Sequence, residues 1–464
     1  MIQLLVHRII RFRETDVDQP GATSEGAEAS ANQPPNSPAR VLFASLIGTT
    51  IEYFDFYIFG TAAVLVFPTL FFPSSDGTLA TLQSLATFGL AFVARPVGSA
   101  LFGHFGDRVG RKATLVASLL TMGLSTVLIG LLPSYASIGI AAPIMLAVLR
   151  FGQGLGLGGE WGGAILLSTE NAPPGRHAWY GMFPQLGGPI GFFLSGSVFL
   201  LLTTQLPEAD FLAWGWRIPF VASALLVLVG LYVRLNIAET PEFRAVLARH
   251  ERVRVPILDV VTRYPRALVL GSLTGMGQFV LFYLMTVFTL SWATRSLGYA
   301  RQEFLVLQLI ATVFFAICIP LSARFTDRRG RTAGLMIGTI GIVMLGLLLG
   351  PMLQAGSVST VIALSIGMAL MGASFGPLGA LMSSLFPVEV RYTGASLAFN
   401  LAGILGASGA PYIATWLATN YGLPYVGYYL SGMAIISLLA LLMVRGMPAL
   451  ESSNTFSETA DEHR

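Results

Sequence analysis

Charge is what this chain has least of. Only 11% of its 464 residues are Asp, Glu, Lys or Arg, and 54% are hydrophobic, with a mean hydropathy of +0.70. A soluble domain carries roughly 25% charged residues, so composition excludes an ordinary soluble protein. Lysine is almost missing: Lys112 is the sole lysine among 27 basic residues. Ala113 follows it, whereas a nucleotide-binding Walker loop ends in Lys followed by Ser or Thr. A nucleotide-driven pump on this chain is therefore excluded. Cysteine is single as well. Cys318 has no partner for an intramolecular disulfide, and its apolar setting suits a buried thiol. A net charge of +3 is too small for a nucleic-acid partner. The N-terminal apolar run has Arg8 and Arg11 after it and lacks a small-residue cleavage site, which is not the order of a secretory signal. No repeated filter sequence speaks for a channel, and no long soluble signalling domain speaks for a sensor. No metal or cofactor is expected.

Long apolar runs are what the chain does have. A membrane span needs about 20 mostly apolar residues, and twelve such stretches are read between 41–67 and 422–445. The expected fold class is an all-α membrane protein with twelve transmembrane helices in two pseudo-symmetric six-helix bundles. Basic residues gather in alternate loops: Arg108, Arg111 and Lys112, then Arg176, then Arg244 to Arg263, then Arg324 to Arg331, then Arg391. The loops between them lack Lys and Arg, except 294–302 with Arg295 and Arg301. By the positive-inside rule both termini are expected in the cytoplasm. The expected organisation is a disordered tail at 1–40, a first bundle at 41–236, a charged linker at 237–266, a second bundle at 267–445 and a tail at 446–464. A repeat supports the halving. Gly106-Asp107-Arg108-Val109-Gly110-Arg111-Lys112 and Thr326-Asp327-Arg328-Arg329-Gly330-Arg331-Thr332 stand six spans apart, as in a carrier built from two homologous halves.

Five charges interrupt the apolar runs of the first half: Glu52, Asp55, Arg95, Arg150 and Glu160. The second-half spans have none. A charge at membrane depth is costly, and where present it marks a substrate or ion path. Helix rise places Glu52 about 16 Å, Asp55 about 21 Å, Arg95 about 12 Å, Arg150 about 27 Å and Glu160 about 12 Å from the cytoplasmic side. That sorts them into an Asp55–Arg150 layer and a Glu52–Arg95–Glu160 layer. Asp55 and Glu52 are the expected proton sites, because burial and a nearby arginine act in opposite directions on a carboxylate's proton affinity. Arg150 and Arg95 are the candidate anion ligands, with Gln153, Glu160 and Trp161 beside them. From the second half, Gln278, Phe282, Tyr283, Ser374 and Asn400 are the candidates to shape a largely neutral wall. Gly154-x-Gly156-x-x-Gly159 matches a dinucleotide fingerprint by letter, but no strand precedes it, and close helix packing is the better reading.

The loop Gly103-His104-Phe105-Gly106-Asp107-Arg108-Val109-Gly110-Arg111-Lys112 resembles the hallmark loop of the major facilitator superfamily. GTTIEYFDFYIFG (48–60), LRFGQGLGLGGEWGGA (149–164), WGWRIPF (214–220), ETPEF (239–243) and FPVEVRYTGAS (386–396) resemble its metabolite:H⁺ symporter family. Carriers of shikimate, α-ketoglutarate, citrate and proline/betaine belong to that family. The resemblance implies proton-coupled symport of a small organic anion or zwitterion by alternating access, by a monomer in membrane lipid, driven by the proton gradient. It also implies a gating role for Gly103, Asp107, Arg108, Gly110, Arg111, Lys112, Asp327, Arg328 and Arg331. A drug/H⁺ antiporter is the alternative, though two buried arginines suit anions better than greasy cations. A transporter-like sensor is less favoured, and nothing points to an enzyme.

Overall fold

The computed structural model describes residues 38–109, 111–235 and 256–447, and side chains in these stretches except those of 103–115 and of four residues at the segment ends. Tails 1–37 and 448–464, most of the linker, and the side chains of Gly103, Asp107, Arg108, Gly110, Arg111 and Lys112 lie outside the description. Eleven helices are long and apolar enough to cross a membrane. In chain order they are α1 (Ala39–Leu65), α2 (Gly77–Phe102), α4 (Ala141–Glu170), α5 (His177–Gln205), α6 (Gly215–Val233), α7 (Pro265–Ser296), α8 (Arg301–Arg329), α9 (Ala333–Gln354), α10 (Ser357–Ser383), α11 (Arg391–Asn420) and α12 (Leu423–Arg445). The twelfth, α3 (Arg111–Leu131), has the shorter described apolar stretch Val116–Leu131. Helices satisfy their own backbone groups, which is why a bilayer selects them.

Packing sets inner helices apart from outer ones. The apolar window of α7 is 89% buried, and that of α6 only 33%. Leu225, Leu228 and Leu348 are exposed, as expected of side chains that meet lipid tails. Across the seam between the bundles, α5 packs on α8 and α2 on α11. The face where α1 begins and α12 ends is called here the terminal face, and its opposite the far face. Glycine permits the close crossing of α2 and α4. A Cβ on Gly154 would lie 2.7 Å from Ala91 Cα, inside van der Waals contact. At the repeat, α8 stops because Gly330 takes φ +108°, a region that side chains disfavour.

Several inner helices are broken. α4 interrupts its helix at Gly158–Gly159, between Leu157 and Glu160. α7 carries a π-helical turn at Leu284–Phe288, and α11 carries one at Ile404–Ser408. Such turns leave carbonyl groups in need of other donors, and they concentrate at functional sites.

Candidate functional site

Among the described residues, the charged side chains that are buried are Glu52, Asp55, Arg95, Arg150 and Glu160. All five belong to the first bundle, so the asymmetry read from the sequence survives folding. Their arrangement is not the expected one.

Arg150 on α4 is fully buried. Its guanidinium lies 4.1 Å from the ring centroid of Phe56, 4.0 Å from Phe59 and 5.0 Å from Phe88. A desolvated guanidinium is attracted to ring faces by about 2 kcal/mol or more. Nη1 donates to Gln153 Oε1 at 2.9 Å and Nε to the Phe88 carbonyl at 3.4 Å, while Nη2 has no partner. Arg95 on α2 rests on the same Phe56 ring at 4.5 Å and on Phe92 at 4.8 Å, with its Nε unpartnered. Two like charges share one ring, and each keeps an open donor. Such a centre is short of an anion.

Asp55 does not supply that anion. It is fully buried and neither carboxylate oxygen has a hydrogen-bond partner. Its polar neighbours are the hydroxyls of Thr126 on α3 and Ser223 on α6. Thr126 gives its proton to the Met122 carbonyl at 2.9 Å and accepts from Gln153 Nε2 at 2.7 Å. Gln153 therefore stands between Arg150 and the Asp55 side of α1. Asp55 and Arg150, expected in one layer, do not face each other, and helical phase is the reason. Successive residues turn by about 100°, so when Phe56 faces Arg150, Asp55 faces α3 and α6. The other expected layer is divided as well. Arg95 joins Arg150 at the aromatic centre, and Glu160 accepts from Ser118 Oγ of α3 at 2.8 Å.

Aromatic rings close the middle of the molecule. Tyr57 meets Phe192 at 5.4 Å and Phe282 at 5.2 Å between centroids, and Tyr283 meets Phe88 and Phe92 at 5.3 Å each. They surround a cavity of about 10 Å³ whose wall includes Tyr57, Thr61, Phe88, Tyr283, Thr286 and Gln308. That volume admits about one water molecule. Tyr283 is thus part of the cavity wall. A groove of about 500 Å³ elsewhere, bordered by Ser197, Leu200 and Val306, is an open surface feature of the α5–α8 seam.

Among the described residues, contacts bridge the seam toward both faces. On the far face, Arg301 pairs with Glu208 at 2.8 Å, Arg295 Nη1 donates to the Gly77 carbonyl at 2.7 Å and Gln302 Nε2 to the Thr203 carbonyl at 2.8 Å. Toward the terminal face, Trp161 stacks on Phe399 with centroids 3.6 Å apart and donates to Gln185 Oε1 at 2.9 Å. Gln185 Nε2 reaches the Phe375 carbonyl at 2.9 Å. Asn400 Nδ2 donates to Ser99 Oγ at 2.8 Å and to the Gly158 carbonyl at 3.0 Å, and the Tyr392 hydroxyl donates to the Gly159 carbonyl. Side chains of α11 therefore cap the break in α4. Asp327 accepts from the backbone N–H groups of Ala178 at 2.9 Å and Trp179 at 3.0 Å, at the N-terminus of α5. An anion there meets the positive end of the helix dipole.

Other candidates fall elsewhere. Gln278 is buried and donates to Thr339 Oγ1 of α9 at 3.3 Å, within its own bundle. Ser374 donates to the Leu370 carbonyl of its own helix. Asn400 serves the α4 break and is absent from the cavity wall. Arg331 donates to the Val444 and Met447 carbonyls, tying down the end of α12. Gln185, Gln308, Thr126 and Ser223 were not singled out from the sequence. The signal was available for the glutamines, which are large amides inside apolar helices. It was not available for hydroxyls, which are common in spans. Among the described residues no group of His, Cys, Asp and Glu forms a metal site.

Comparison with known proteins agrees with this architecture. Residues 45–410 match the model of the Major Facilitator Superfamily. The chain is 56% identical to the inner membrane metabolite transport protein YhjE of Escherichia coli K12, over 88% of this chain and 94% of that one. It is 35% identical to the shikimate transporter of the same organism, over 87% and 94%. It is 29% identical to the proline/betaine transporter of that strain, over 86% and 82%. Among solved structures, the proton:xylose symporter XylE superposes with a TM-score of 0.70 at 18% identity, covering 89% of this chain and 96% of that one.

Proposed function

The chain belongs to the Major Facilitator Superfamily, and from that premise we propose that it is a metabolite:H⁺ symporter that carries a small organic acid or zwitterion together with a proton. One observation carries the reading: a buried carboxylate without an ionic partner lies a few side chains from a buried guanidinium without an anion. Two opposite deficits in one low-dielectric bundle are costly alone and are relieved by opposite cargo. A proton neutralises Asp55, and a substrate carboxylate reaches the open donors of Arg150 and Arg95. The second bundle supplies neutral groups and rocks against the first, exposing the centre to each face in turn. Glu52, buried on α1 one turn before Phe56, is the second candidate proton site. The positive-inside rule supports a terminal face in the cytoplasm of an inner membrane, and the scheme invokes no cofactor and takes a monomer as the working unit.

Uptake into proteoliposomes containing the purified protein tests this. The probes are shikimate, α-ketoglutarate and proline, each with an imposed pH gradient and, separately, a sodium gradient. An acid exterior is expected to drive accumulation of at least one probe, and sodium is not. Asp55→Asn is expected to abolish gradient-driven accumulation and to keep substrate exchange. If Asp55→Asn and Glu52→Gln both retain full proton-driven uptake, the coupling assignment is wrong. If only hydrophobic cations move, and outward, the drug/H⁺ antiporter reading replaces it.

A further inference from the structure

The cavity wall holds a group that the coupling scheme leaves unused. Gln308 on α8 is buried and borders the central cavity. Its Nε2 donates to two backbone carbonyls of α7, Met285 at 3.0 Å and Thr286 at 2.6 Å. Both lie in the π-helical turn Leu284–Phe288, where the regular ladder is interrupted. Carbonyls only accept, so chemistry fixes which end of the amide points at them. That leaves Oε1 as the remaining polar atom of the side chain, on a wall it cannot leave without giving up both contacts; the Met285 carbonyl would keep the Thr289 hydroxyl at 2.7 Å, and the Thr286 carbonyl would lose its amide donor. Thr286, on the same wall, behaves likewise. Its hydroxyl proton goes to the Phe282 carbonyl at 2.7 Å, and only lone pairs remain for the cavity.

The second bundle therefore presents acceptors whose own protons are already committed. The first bundle presents Tyr57 and Phe88, with Arg150 behind the Phe88 ring at 5.0 Å. α7 and α8 both belong to the second bundle, so the acceptor pair stays assembled when the bundles separate. We infer that Gln308 and Thr286 are specificity residues that select carboxylates bearing hydroxyl or N–H donors and discriminate against quaternary betaines and deoxy analogues. The argument is one of pairing. A carboxylate that satisfies the arginines must bring a donor to the far wall, or two acceptors are desolvated without partners. A trimethylammonium group has no N–H to bring. This rests on the carboxylate-carrier reading and goes beyond it by naming the class of carboxylate.

Matched pairs test it with the full-length protein, by thermal shift and proteoliposome uptake. One pair is shikimate and cyclohexene-1-carboxylate, and the other is proline and its N,N-dimethyl betaine. The wild-type protein is expected to prefer the donor-bearing member of a transported pair by at least about tenfold, as one lost buried hydrogen bond implies. Gln308→Met is expected to bring that ratio toward one while uptake of the donor-poor member persists. Thr286→Val, which leaves the Gln308 contacts in place, covers the case in which Gln308→Met fails to fold, and is expected to reduce the ratio in the same direction. Equal or better uptake of the donor-poor member by wild type overturns the inference and leaves the carrier reading standing. So does a ratio unchanged in the folded variants. Binding of hydrophobic cations and of no carboxylate overturns both.

Discussion

Arg150 gives a hydrogen to Gln153 at 2.9 Å, and Gln153 passes the contact on to Thr126 rather than to Asp55. The amide separates the cationic centre from the buried acid, so the two sense each other through a bridge with a defined direction. Gln153→Leu removes that bridge and leaves Arg150 Nη1 and the Thr126 oxygen without it. The expected cost is about 1.5–3 kcal/mol of stability, as for a hydrogen bond to a charged group. A melting curve of the detergent-purified variant measures it. Uptake is expected to fall at least about tenfold, and a variant with wild-type melting and uptake would refute the bridge.

Arg295, Gln302 and Arg301 each reach across the far-face seam to Gly77, Thr203 and Glu208. These two arginines are the basic residues that broke the alternating loop pattern, and their contacts explain their presence on that face. Glu208→Gln is expected to favour opening there by a factor of about 2–5, since an exposed pair contributes at most about 1 kcal/mol. In a Cys318→Ser background, Leu290→Cys on the cavity wall reports this as faster labelling by an impermeant maleimide from the far face. Unchanged labelling rates would remove the latch role.

Asn400 and Tyr392 close the terminal face by capping the broken turn of α4. Asn400→Leu with Tyr392→Phe leaves the Gly158 and Gly159 carbonyls without these donors, at about 1 kcal/mol each. The double variant is expected to populate the state open at the terminal face. Labelling of the same cavity cysteine from that face is expected to rise while far-face labelling falls. A parallel change on both faces would indicate general loosening instead.

Gly154 has no room for a methyl group between α4 and the Ala91 backbone of α2. Gly154→Ala is expected to force these helices apart and cost about 1–3 kcal/mol, as overpacking does. Reduced thermal stability with lost uptake is the expected result. Gly432→Ala on α12, where no atom lies within 4 Å of the added Cβ, is the control and is expected to behave as wild type.

Much of this protein was legible in its sequence because a bilayer imposes simple rules. Hydropathy and length marked the spans, and the repeat at Asp107 and Asp327 marked the two halves. Tyr283, read as a cavity group, lines the central cavity. Gln278 and Asn400 were read as cavity groups on polarity alone, but polarity does not tell which side of a helix faces which neighbour. One turns to Thr339 within its own bundle, and the other to the α4 break in the opposite bundle. Gln308 was overlooked because it became distinctive only beside the π-helical turn of α7.

The sequence by itself determined the class of fold, the family and the confinement of buried charge to the first bundle. Each follows from composition, run length or residue order, which folding cannot change. The tertiary structure decided what each charge meets. Asp55 and Phe56 are adjacent in the chain and point about 100° apart on the helix. That angle sends Phe56 to both arginines and leaves Asp55 between α3 and α6. The partners that close the seam are equally remote in sequence: Asn400 meets Ser99 across 301 residues, and Asp327 meets Ala178 across 149. Such pairings depend on how twelve similar apolar cylinders settle against one another, and small residues such as Gly154 fix that arrangement only once their neighbours are in place.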